Sequence, residues 1–329
     1  MKSLNIAIWF EPEIPPKNGV IPELEVHFNF WKILPSPSLD IGIKFPIRKG
    51  KLFIYIQNSD STGEFIDLAP KLYNGATIRN AIFNDFMRLK SCESGNTNYN
   101  ILEKKDEEGF CLCDIKSKNE KKQELGGTIY EINIDRTCKL CVEYQYVRFR
   151  VAGECIKNAF FKYNVPFSKF EKYVSVTEFI DFRLNNVRTL NEDFIEKKRK
   201  YFPKFSKIQC FLMCDSLDDL KLCKTQYVTV RALEKEIWGE YIKLANNDGA
   251  ILAYQWKTGE GKKDFSLFAK IKSNTFSGWK ILVLSAIFIV LNFAISFFAS
   301  YAFDFYKCSL STSTQQINEV HNEKNIDKE

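Results

Sequence analysis

Glu23–Ile33 reads ELEVHFNFWKI, and its alternation sets the architecture. Leu24, Val26, Phe28 and Phe30 fall on one face of an extended chain, because side chains change sides at every residue of a strand. Leu39–Phe45 repeats the pattern through Leu39, Ile41, Ile43 and Phe45. Lys51–Gln57 and Leu4–Phe10 supply two more strands, with Pro15, Pro16, Pro35 and Pro37 between them. Period-two apolarity broken by proline predicts an antiparallel sheet with one face buried.

Further along, Ile78–Lys90 reads as a helix, Ser91–Asn100 as a polar loop, and Glu103–Leu125 as a charged stretch interrupted at Phe110–Ile115. Strands resume at Thr128–Ile134 and Leu140–Val151. Beyond Gly153 the pattern is mixed. Helices are expected at Asn191–Tyr201 and Leu233–Leu244, and strands at Lys207–Cys214, Gln226–Arg231 and Ala250–Lys257. The predicted fold class is therefore α+β and β-rich. A sandwich-like antiparallel unit over 1–153 is followed by a mixed α+β unit over 154–275.

Ile281–Phe303, ILVLSAIFIVLNFAISFFASYAF, is a different kind of segment. Its 23 residues hold no formal charge. At 1.5 Å per residue they reach roughly 34 Å, against a hydrocarbon core of roughly 30 Å. Fourteen are Leu, Ile, Val or Phe. These contribute on the order of −4 to −8 kcal/mol to insertion. A transmembrane helix is expected at about 280–303, followed by a polar, disordered tail at 304–329.

Lys262, Lys263, Lys270, Lys272 and Lys280 precede the span, whereas Lys307 alone lies in the 20 residues after it. The positive-inside rule then places the large region in the cytoplasm and the tail on the opposite side. The short C-terminal remainder suggests post-translational insertion, as for a tail-anchored protein. A reducing compartment makes the ten cysteines thiols or metal ligands rather than disulfides.

Several groups could carry chemistry. Cys111-x-Cys113 and Cys138-x-x-Cys141 would present four thiolates to zinc, and the competing reading makes them apolar fillers. No other cofactor is expected. Histidine is confined to His27 and His321. That rules out zinc sites built on several histidines, and His27 reads as a surface residue on the polar side of its strand. Asp215, Asp218 and Asp219 could form a carboxylate cluster for a divalent cation; the simpler reading has Asp215 or Ser216 cap a short helix whose positive end the acidic residues favour. Lys197, Lys198, Arg199 and Lys200 could meet phosphate on lipid or nucleic acid, or form a solvated helix face. On the span, Ser285, Asn292, Ser296 and Ala299 recur at heptad spacing, with Ile289 and Phe303 between and after them. Small and polar residues on one membrane face allow close helix approach, so the bilayer and a second copy of the chain are the expected partners.

The functional expectation is a membrane-anchored binding or sensing module with an unknown protein or ligand on its soluble region. One version is an oligomerising membrane effector in cellular defence. The alternative is a membrane-tethered metal- or carboxylate-dependent enzyme acting on nucleic acid or nucleotides.

Overall fold

The computed structural model describes residues 3–326 apart from 13–20, 35, 47–49, 59–63, 95–96, 106, 116–118, 134–141, 163–174, 224–226, 243–248 and 275–277. The described strands form two sheets. The first runs β15 (Asp218–Cys223), β18 (Phe265–Asn274), β13 (Ser175–Leu184), β1 (Leu4–Pro12), β4 (Gly50–Gln57), β10 (Gly127–Asn133), β9 (Asn119–Glu124), with β12 (Phe160–Lys162) also on β13. The second runs β16 (Thr229–Leu233), β17 (Ile251–Thr258), β14 (Phe205–Asp215), β2 (Leu24–Trp31), β3 (Ser38–Pro46), β11 (Tyr144–Ala152), β8 (Phe110–Leu112), β7 (Thr97–Lys104), β6 (Met87–Ser94), with β5 (Glu64–Asp67) also on β11.

The alternation in β2 and β3 does what its period requires. Leu24, Val26, Phe28, Phe30, Leu39, Ile41 and Ile43 are fully buried. They share one core with Ile6, Ile8, Ile54, Ile56, Phe182 and Leu267 of the first sheet. The Phe182 ring lies 4.9 Å from Phe28 and 5.1 Å from Phe30.

Both sheets are mixed, not purely antiparallel. β1 runs parallel to β13, β2 to β14, and β8 to β11. In each sheet the strands that follow residue 153 form one block and those that precede it another, and the blocks join where β13 meets β1 and where β14 meets β2. Each sheet also has helices on its outer face. Those on the second are α1 (Ala69–Asn74), α2 (Ala76–Phe83) and α5 (Lys235–Ile242), which meet Trp31, Tyr146 and Met213 in a second core. On the first, α4 (Glu192–Lys198) packs Phe194 against Trp9 and Tyr55. Asn191 caps α4 by accepting from the Phe194 amide at 3.2 Å. The remaining short helix, α3 (Glu154–Ala159), buries Cys155, Ile156 and Ala159 in the shared core.

Three local expectations change. The helix expected to reach Lys90 ends at Phe83, where Asn84 adopts φ 54° and leads into β6. The polar loop at Ser91–Asn100 is instead part of the β6–β7 hairpin, with Cys92 opposite Tyr99. The Asp215–Asp219 segment is a strand-to-strand turn, not a helix start: Asp215 accepts from the Leu217 amide at 2.9 Å, and Asp218 opens β15.

The C-terminal helix α6 (Gly278–Ile326) is a separate compact unit. Within its Leu282–Lys307 stretch an 18-residue window has a mean hydropathy of 2.5 and is not buried against protein, so the helix is long and apolar enough to cross a membrane. The helix continues past Phe303 to Ile326, where a disordered tail was expected.

Candidate functional site

The face of β2 turned away from the shared core is polar. Glu25, His27 and Asn29 alternate with the buried apolar residues, and strand register sets their neighbours. Lys207, Glu25, Lys44 and Tyr146 form one row across β14, β2, β3 and β11. Gln209, His27, Gly42 and Arg148 form the next, followed by Phe211, Asn29, Asp40 and Arg150. Helices α2 and α5 cover part of this ladder, contributing Phe83 and Tyr241.

The deeper rows form a closed network. Arg150 donates to Asp40 through Nε at 2.6 Å and Nη2 at 3.1 Å. Trp31 Nε1 and the Tyr241 hydroxyl each donate to Asp40 Oδ2 at 2.8 Å. Arg148 Nε donates to the Tyr241 hydroxyl at 2.9 Å, and its Nη1 to the Tyr146 hydroxyl at 3.1 Å. With its amide oriented to satisfy both ends, Asn29 accepts from Arg148 Nη2 at 3.1 Å. Asp40 is fully buried, and it stands between two buried guanidinium groups. Burial alone would push Arg148 down, but the oxygens of Tyr241, Tyr146 and Asp40 outweigh it and raise it.

The shallow row opens into a cleft of about 190 Å³, lined by Glu25, His27, Lys44, Phe83, Phe110 and Tyr146, among others. Buried His27 places Nε2 3.0 Å from Glu25 Oε1, and Lys207 Nζ lies 2.7 Å from the same oxygen. Burial pushes His27 below its ordinary value; the Glu25 hydrogen bond opposes this, and the charges of Lys207 and Arg148 add to it. Burial would push Glu25 up, but the His27 bond and Lys207 outweigh it and bring it down to about 2. His27 is thus a buried, hydrogen-bonded residue, not the surface histidine that its polar strand face implied.

Four carboxylates, Glu25, Asp85, Glu107 and Glu108, line the cleft with three lysines, Lys44, Lys104 and Lys207. Lys104 pairs with Asp85 and Glu107, and Lys207 with Glu25. Lys44 differs. Among the described residues no carboxylate pairs with it, and its ammonium lies 5.2 Å from the Phe110 ring centroid and 4.8 Å from that of Tyr144. An ammonium held on aromatic faces beside an open cleft can accept an anionic group.

The residues singled out in the sequence lie elsewhere. Cys111 is buried and Cys113 half-buried, with Val142 packed against Cys111. Cys138 and Cys141 lie outside the described residues. Among the described residues no group of three or more His, Cys, Asp or Glu could hold a metal ion. Cys92 is disulfide-bonded, so the expectation of thiols throughout does not hold there. The basic run does not share one face. Lys198 turns inward to Glu11, over the rings of Trp9 and Phe53, while Lys197, Arg199 and Lys200 are exposed. Ser285, Asn292, Ser296 and Ala299 are exposed on α6, and Asn292 donates to the Phe288 carbonyl of its own helix at 2.7 Å.

A second polar feature lies outside the cleft. Asp67 accepts from the Ala69 amide at 2.9 Å and the Ile115 amide at 3.2 Å. Burial first, then a side-chain hydrogen bond with Asp114, raises its carboxyl to about 7.

The ladder has a signature in the sequence. In Tyr144–Val151, Arg148 and Arg150 alternate with Val147, Phe149 and Val151. Charges at every second position of an otherwise buried strand must be paired, or folding is costly. No family model matches this chain, and no curated protein is similar to it in sequence.

Proposed function

We propose that the chain is a single-pass membrane protein whose soluble unit is a binding module, with the cleft above β2, β3 and β11 as its ligand site. The carrying observation is Lys44, an ammonium without a carboxylate partner among the described residues, set on aromatic rings at an open cleft. The ligand class that fits is a small planar molecule with one anionic group. Its ring would meet Phe83, Phe110 and Tyr146, and its charge Lys44. The test is thermal melting of the full chain in detergent micelles against a panel of small aromatic carboxylates and phosphates. The expected result is a saturable rise in Tm that Lys44→Met removes. No rise with any member, or a rise that persists in Lys44→Met, would refute the reading.

The lysines flanking the span support a cytosolic soluble unit. The Cys92 disulfide argues for the oxidising side. Protease access from the cytosolic face of sealed vesicles, expected on the lysine asymmetry, decides between them. We also propose that the Ser285, Asn292, Ser296 and Ala299 face couples copies within the bilayer. Unchanged crosslinking in Asn292→Leu would count against it.

A second reading keeps zinc on Cys111, Cys113, Cys138 and Cys141. It is favoured by Val142, which brings the residue after Cys141 against Cys111. Metal analysis of the purified chain tests it, and an absence of stoichiometric zinc removes it. An enzyme acting on nucleotides or nucleic acid would instead draw on the Asp67–Asp114 pair.

A further inference from the structure

A sheet's terminal strands leave backbone donors and acceptors open to another chain, and proteins blunt them with charges or bulges. Among the described residues, three of the four strands that end the two sheet paths are blunted. On β9, Lys122 and Glu124 are exposed. On β15, Asp219 and Lys221 are exposed, and the register shifts between Leu220 and Leu222. On β6, Arg88 and Lys90 are exposed.

The fourth, β16, is different. Its exposed side chains include Val230 at 43%, and Val228 just before it is 64% exposed. Val230 lies opposite Tyr254, a residue of the shared core, so these valines continue the inner apolar face beyond the sheet's edge. The preceding Tyr227 packs edge-on against Tyr254 at 5.3 Å and Trp256 at 6.4 Å. The one cation of β16, Arg231, turns to the helix side, where it donates to Asn84 Oδ1 at 3.1 Å. Nothing charged guards the inner side of this edge among the described residues.

We infer that β16 is an interaction edge and that its occupant is β16 of a second copy, paired antiparallel. The strand is self-complementary in that arrangement. With Val230 opposite its own copy, Val228 meets Ala232, Thr229 meets Arg231, and Tyr227 meets Leu233. No like charges face each other, and apolar residues meet apolar residues on the inner side. Anchoring by α6 would confine copies to one bilayer and raise their effective concentration, which favours a short self-pairing strand over a dilute peptide. This contact is separate from the one proposed within the span.

The test uses the full chain in lipid vesicles, with a photo-crosslinking phenylalanine analogue at Thr229. The expected product is a covalent dimer, reduced at least tenfold in Val228→Lys/Val230→Lys and retained in Asn292→Leu. The lysine substitutions fall on exposed positions and leave monomer stability nearly unchanged. Absence of the dimer, crosslinks to lipid alone, an undiminished dimer in the lysine variant, or its loss in Asn292→Leu would each overturn the inference. A second measurement needs no variant. Hydrogen exchange at the β16 amides slows as the protein-to-lipid ratio rises. Exchange independent of that ratio overturns the edge contact.

Discussion

Tyr146 crosses β3 directly over Gly42, so that a Cβ at Gly42 would lie 2.1 Å from the Tyr146 hydroxyl oxygen. The Arg148 guanidinium is 3.1 Å from the same point. Gly42 stands opposite both His27 and Arg148, and its missing side chain is the space through which the ladder connects the cleft to the buried network. Gly42→Ala should therefore push Tyr146 off Arg148 and overpack the site. The expected cost is about 1–3 kcal/mol, read by chemical denaturation, together with loss of any ligand-induced rise in Tm. Unchanged stability would mean that the ladder is slack.

Asp40 is the one carboxylate bonded to Arg150 and close to Arg148 in the buried rows. Removing it leaves two guanidinium groups in apolar surroundings. Asp40→Ala should cost about 3–5 kcal/mol, much more than an exposed acidic residue such as Glu234. A double substitution that also replaces Arg150 with Met should recover part of the loss. Purely additive effects would show that the two residues do not interact.

Acid should weaken the fold in a window set by His27. Its folded pKa lies below the ordinary 6.5, so the unfolded chain takes up the proton first. That contribution is complete above about 6.5 and is lost as pH falls. Glu25, with a folded value of about 2 against 4.5, acts in the same direction at lower pH. In His27→Gln, Tm should decline with acid only at lower pH than in the parent. An identical Tm profile from pH 7 to pH 5 would remove His27 as the cause.

Asp67 has the opposite sign. Its folded value of about 7 exceeds the ordinary 3.8, so the folded chain holds the proton more tightly. Its contribution is present at low pH and is lost as pH rises through about 7. Asp67→Asn keeps an oxygen for the Ala69 or Ile115 amide but cannot ionise. Tm of this variant should fall less than the parent's between pH 5 and pH 8, and an equal fall would refute the assignment.

Membrane insertion rests on the uninterrupted apolar stretch of α6. Val290→Arg with Leu291→Arg adds about 5–7 kcal/mol at the span centre, comparable to what its apolar side chains contribute. The variant should be released by alkaline carbonate, whereas the parent stays with the membrane.

Much of this molecule is legible locally. The span needs only its length and apolarity. The inward faces of β2, β3 and β4 follow from period-two alternation, and the Asn191 cap from its place before Glu192 and Asp193. Phe265, Leu267, Ala269 and Ile271 carry the same alternation in β18, interleaved with the lysines that precede the span. The hairpin at Ser91–Asn100 was less accessible, because its residues are polar on both faces.

What the sequence by itself determined is which side chains share a face and which segment can cross a bilayer, since both depend on periods and lengths within one element. Which strands adjoin was decided only by the tertiary structure. Glu25 meets Lys207, and Asp40 meets Arg150, across separations of 182 and 110 residues. Alternation is blind to such pairings, because any apolar strand can lie beside any other until the whole core is packed. That packing placed β14 parallel to β2 and β11 beside β3, and so turned isolated polar residues into one connected ladder beneath a cleft.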